Sequence, residues 1–117
     1  MNDDVDLSTL SLPEIEAFGL ARAAVQLDQA RANRDDKGAL AVALEQNLQL
    51  WVTIKTLVAK PDCALSQNVK DNLIRLSNFV ADTTFKYGIE ITDEAVNTLT
   101  NINLQISEGL LEGQRGK

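Results

Sequence analysis

Apolar residues recur at three- and four-residue intervals in four separate stretches of the chain, a period that predicts four amphipathic helices. The clearest stripe reads Leu40, Leu44, Leu48, Trp51, Ile54 and Val58, within a helix expected from Lys37 to Ala59. Pro61 closes it by disfavouring the helical conformation at Lys60. A second stripe, Val69, Leu73, Leu76, Val80, Thr83 and Tyr87, runs from a capping Ser66 to a terminating Gly88. The third, Val96, Leu99, Asn103, Ile106 and Leu110, runs from a capping Thr92 to Gly113. Between these last two, Ile89-Glu90-Ile91-Thr92 alternates like a strand but has no partner strand, so an extended connector is expected.

The first helix has the weakest pattern. Ser11-Leu12-Pro13-Glu14 carries the capping-box arrangement and opens a helix from Leu12 to Ala32. Its seam, Ala17, Leu20, Ala24 and Leu27, is made of small or isolated apolar side chains, while Phe18 and Val25 lie seven residues apart on another face. The simpler reading is that Phe18 and Val25 widen the buried face. The functional reading is a loosely held helix whose flank, carrying these two residues, engages a partner helix; a homodimer seam is a third use of the same residues.

Four helices with short connections specify an all-α fold, an up-down four-helix bundle. Residues 12–113 form its single domain, residues 1–11 a loosely ordered acidic arm, and residues 114–117 a tail. At 117 residues the chain is long enough to build a core without a disulfide or a metal.

Polar residues interrupt the apolar stripes at particular places. Asn47, Asn72 and Asn103 each fall in or beside a stripe, and a buried carboxamide left unpaired costs a few kcal/mol. Either each borders its stripe and faces water, or they bond to one another or to backbone and fix the register of the helices. Trp51, central in its stripe, is expected in the core with its indole N–H on some acceptor. The runs Asn33 to Lys37 and Gln114 to Lys117 read as solvated.

A net charge of −6 excludes broad binding to nucleic acid or to an anionic membrane surface, both of which need a basic face. No apolar run approaches the roughly 20 residues of a membrane-spanning helix, and Met1-Asn2-Asp3-Asp4 is acidic where a secretory signal is basic. Cys63 is the one cysteine, so no internal disulfide forms, and a cytoplasmic protein is expected.

Candidate chemistry is sparse. The chain has no histidine, which removes the commonest general base and the commonest transition-metal ligand. Cys63 therefore has no imidazole to activate it, and Asp35-Asp36 and Asp93-Glu94 sit at helix starts, where the macrodipole accounts for them. No phosphate-cradling glycine loop and no di-metal Glu-x-x-His motif occurs. The expectation is a protein-binding module that is not an enzyme and uses neither cofactor nor metal.

Three words of the sequence carry a resemblance. Ala43-Leu44-Glu45-Gln46-Asn47-Leu48-Gln49-Leu50-Trp51, Asn72-Leu73-Ile74-Arg75-Leu76-Ser77-Asn78-Phe79, and Ile102-Asn103-Leu104-Gln105-Ile106-Ser107-Glu108-Gly109-Leu110 occur in an order and spacing that resemble the alphaproteobacterial flagellar biosynthesis regulator FlaF family. The resemblance begins near Ala17 and runs through Pro61-Asp62-Cys63-Ala64-Leu65; residues 1–12 depart from it, and Ser66 stands where many members carry Pro. It makes Asn47, Trp51, Asn72, Leu76, Phe79, Asn103 and Gly109 the motif residues. It implies a small helical protein that binds flagellin and promotes its production and secretion in the manner of an export chaperone, working against the translational repressor FlbT. The other class it allows is a regulatory adaptor acting on FlbT or its complex.

Overall fold

The structure, a computed structural model, describes residues 12–63 and 65–115, with side chains placed for 17–63 and 65–112. Four helices form it: α1 (Leu12–Ala32), α2 (Lys37–Val58), α3 (Gln67–Tyr87) and α4 (Asp93–Arg115), with a 3₁₀ turn over Gly88–Glu90 before α4. Among the described residues there is no strand.

Side chains fix three of the helix starts. Asp36 Oδ1 accepts the Ala39 N–H at 3.0 Å, Ser66 Oγ accepts that of Val69 at 3.3 Å, and Thr92 Oγ1 accepts that of Ala95 at 3.1 Å. Each pairs a donor that the first helical turn leaves free. The capping contact expected of Ser11 lies outside the described residues. Replacing Asp36 by Ala is expected to cost about 1 kcal/mol and lower the melting midpoint by about 4 °C in a circular dichroism melt. An unmoved midpoint would mean that this cap does not hold α2.

The connector before α4 differs from its expected extended form. Gly88 adopts φ +53°, which side chains disfavour, and ends α3. The chain then turns tightly, with Ile91 N–H donating to the Gly88 carbonyl at 3.1 Å, and Ile91 is carried wholly into the core. At the other end α4 continues through Gly113 to Arg115, beyond the expected stop. A helical glycine costs only about 1 kcal/mol and does not by itself end a helix.

In the bundle, α1 packs against both α4 and α2, and α2 packs against α3. The remaining neighbours of a closed up-down-up-down bundle, α3 and α4, do not come into comparable contact. The body measures 44 × 37 × 19 Å, about two helix diameters thick and wider than a closed bundle of four. Among the described residues, three seams are shut and one is open.

The seam of α1 corrects the expectation of a loosely held helix. Ala17, Leu20, Ala23, Ala24, Leu27 and Ala30 are all buried, and the alanines among them leave room for neighbouring helices to pack close to α1. Phe18 and Val25 do not widen this buried face. They stand on the opposite flank, 41% and 54% exposed.

Elsewhere the buried lines run slightly rotated from the predicted stripes. On α2, Ala43 and Asn47 are buried while Leu48 is half-buried; on α3, Ser77 joins Leu73 and Val80, while Val69 and Tyr87 are exposed. On α4, Ser107 is buried and Ile106 half-buried. In the loop between α1 and α2, Asn33, Asp35, Asp36 and Lys37 are exposed as expected, whereas Arg34 is half-buried: its Nη2 donates to the Ile91 carbonyl at 2.6 Å, and Nη1 lies 3.5 Å from the Asp93 carboxylate. Arg34 thus ties that loop to the start of α4. Among the described residues, no helix is long and apolar enough to cross a membrane.

Candidate functional site

Two of the three asparagines meet Trp51 where α1, α2 and α4 come together. Asn47 and Trp51 are one turn apart on α2 and therefore share a face, and Asn103 enters opposite them from α4. The Trp51 Nε1–H donates to Asn103 Oδ1 at 2.9 Å. Asn103 Nδ2 in turn donates to Asn47 Oδ1 at 2.6 Å and to the Leu20 carbonyl of α1 at 3.3 Å. All three side chains are fully buried.

An amide suits position 103 because it accepts from the indole and donates to two oxygens at once. The relay is not fully satisfied, since Asn47 Nδ2 is buried without a partner, which costs about 1–3 kcal/mol. One turn beyond Asn103, Ser107 Oγ donates to the Ala17 carbonyl at 2.6 Å. Ser77 Oγ donates to Leu73 O at 2.7 Å, with Trp51 O 3.3 Å away. These neutral amides, the indole and the hydroxyls are all buried and bond one helix to another or to backbone, which leaves little for a substrate to meet.

The remaining motif residues go elsewhere. Asn72 is half-buried and does not join the relay; its Oδ1 accepts from Arg75 Nη2 on its own helix at 2.6 Å. Leu76 packs at the edge of the core, Phe79 is 43% exposed, and Gly109 lies on the surface of α4 with nothing within 4 Å of where a Cβ would be.

For chemistry the described residues offer little. They include no group of three or more His, Cys, Asp or Glu placed to hold a metal ion. A groove of about 500 Å³ between the end of α1 and the start of α2 is walled by residues such as Gln26, Gln29, Asn33, Asp36, Val42 and Gln46. It presents one carboxylate among amides and aliphatic groups, with no base beside a nucleophile.

The aromatic residues are distributed unevenly. Trp51 is wholly buried, but all three phenylalanines and the one tyrosine are exposed: Phe18 by 41%, Phe79 by 43%, Phe85 by 76% and Tyr87 by 41%. Phe85 was not among the candidates drawn from the sequence. Its signal was there, because it falls off the α3 stripe between Thr84 and Lys86, and an aromatic off the stripe of an amphipathic helix faces outward.

Comparison with known proteins gives a family match. The family model for flagellar protein FlaF covers residues 3–110. It therefore takes in most of the N-terminal stretch that had looked unlike the family. Neither the curated proteins nor the solved structures returned a match to the chain. With nearly its whole length inside that model, the chain belongs to the FlaF family of flagellar proteins.

Proposed function

We propose that the protein binds flagellin in the cytoplasm and promotes its production and secretion as an export chaperone does. The observation that supports this most is the placement of the aromatic residues. The core is filled by Leu, Ala, Val, Ile and one Trp, while every phenylalanine is left at the surface. Aromatic side chains are the usual anchors of protein interfaces, because each covers a large area at little cost in rotamer entropy. Membership of a flagellar family makes a flagellar protein the natural partner.

An export client must be released, so a dissociation constant of about 1 µM, about −8 kcal/mol, is expected rather than a tighter one. Calorimetry of the purified protein with purified monomeric flagellin, and separately with FlbT, tests the reading. Heat with flagellin near that affinity supports it. Heat with FlbT and none with flagellin would replace the chaperone by a regulatory adaptor.

A further inference from the structure

The four helices are not held equally. Buried side-chain bonds join α1, α2 and α4: Asn103 reaches Trp51 and Asn47 of α2 and the Leu20 carbonyl of α1, and Ser107 reaches the Ala17 carbonyl. α3 packs against α2 and the 3₁₀ turn, and no other element comes into comparable contact with it. It buries three side chains, Leu73, Ser77 and Val80, where α2 buries seven. Among the described residues, two side-chain hydrogen bonds join α3 to another helix. Lys55 Nζ donates to Asn78 Oδ1 at the surface, and the Ser77 hydroxyl lies 3.3 Å from the Trp51 carbonyl but 2.7 Å from that of Leu73 on its own helix.

Both ends of α3 carry a break in the helix with an anchor beyond it. At the far end, Gly88 takes φ +53°, outside the helical range. Three residues on, Ile91 is wholly buried and its carbonyl accepts from Arg34, which fixes the approach to α4 independently of α3. At the near end, Ala59 to Asp62 are exposed, and Pro61 keeps α2 from running on. Cys63 and Leu65 then pack against the core before Ser66 caps α3. Anchors outside both breaks let the segment between them move while its neighbours stay. A segment with few buried apolar contacts opens at less cost than the whole fold.

We infer that α3 is a detachable strap: residues 66–88 release from the bundle as one unit while α1, α2 and α4 stay joined through the relay. The released segment does not remain helical, because a lone helix of 21 residues, most of them polar, depends on packing. α3 carries Phe79, Phe85 and Tyr87, so its release also unseats most of the exposed aromatic residues. The inference concerns the free protein and does not depend on which partner it binds.

The test is hydrogen exchange of the full chain under native conditions, followed amide by amide by NMR. Backbone amides of residues 71–86 are expected to exchange as a group at least about 100-fold faster than the slowest amides of α1, α2 and α4, with the Trp51 indole N–H in the slow group. Ser107→Ala removes a bond that release of α3 leaves intact. It should speed the slow group about fivefold and the α3 amides less than about twofold. Leu73→Ala combined with Val80→Ala should loosen α3 alone: the helical circular dichroism signal falls by no more than the share of its 21 residues, and the remainder still melts cooperatively. Exchange of α3 in one group with the other helices, or equal acceleration of all amides by Ser107→Ala, would overturn the strap. So would complete unfolding of the double variant.

Discussion

Replacing Asn103 by Leu is expected to destabilise the protein by about 3 kcal/mol, a fall of about 12 °C in the melting midpoint. The side chain is close in size, so the loss comes from hydrogen bonding rather than from a cavity. Trp51 Nε1–H loses its acceptor and Asn47 Oδ1 loses its donor, both in a site that no water reaches. Each orphaned group costs about 1–3 kcal/mol, offset in part by the apolar gain of the new Leu. Asn47→Leu is expected to behave differently, within about 1 kcal/mol of the unaltered protein, because it also removes an amide nitrogen that already lacks a partner. Urea denaturation of both variants checks the asymmetry. In a Trp51→Phe background the cost of Asn103→Leu should shrink by about 1–2 kcal/mol, and equal costs in the two backgrounds would refute the indole–amide contact.

Ala24→Leu should be nearly as damaging, at about 3 kcal/mol, although it adds apolar surface to a buried position. Ala24 is 1% exposed on the buried face of α1, which packs against α4, and a larger side chain must push the helices apart. Separation also stretches the bonds from Ser107 to the Ala17 carbonyl and from Asn103 to the Leu20 carbonyl, both of which cross that seam. A melt of the variant measures the effect. If α1 were loosely attached, the substitution would be absorbed with a change under about 0.5 kcal/mol, and α1 would return as a mobile element.

Much of this architecture could be read from periodicity. The α2 stripe apart from Leu48, the acidic helix start at Asp36, the caps at Ser66 and Thr92, and the stop at Gly88 depend on local rules of helix geometry, and all are found in place. The seam of α1 was misjudged because alanine gives little hydrophobic signal, yet permits the closest helix approach. Ser77 and Ser107 escaped notice for a related reason: a serine whose hydroxyl bonds a backbone carbonyl buries as easily as alanine, while by residue type it reads as surface. Asn72 was grouped with the other two asparagines, but the buried face of α3 runs along Leu73, Ser77 and Val80, which turns it toward Arg75.

The site was less legible than the fold. Phe18 and Val25 repeat at helical spacing, and spacing alone does not say whether an apolar face meets the core or solvent. The open seam depends on which helices become neighbours, a property of the assembled bundle to which no single stripe refers.

The relay gives the molecule a built-in optical reporter. Trp51 is the chain's one tryptophan, and its ring nitrogen is bonded to α4 from a position on α2 beside α1. Indole emission therefore arises wholly from the junction of three helices. A partner that settles on the outer edges without parting them should leave its wavelength unchanged, whereas one that pries α4 from α1 should shift it to the red as water reaches the ring.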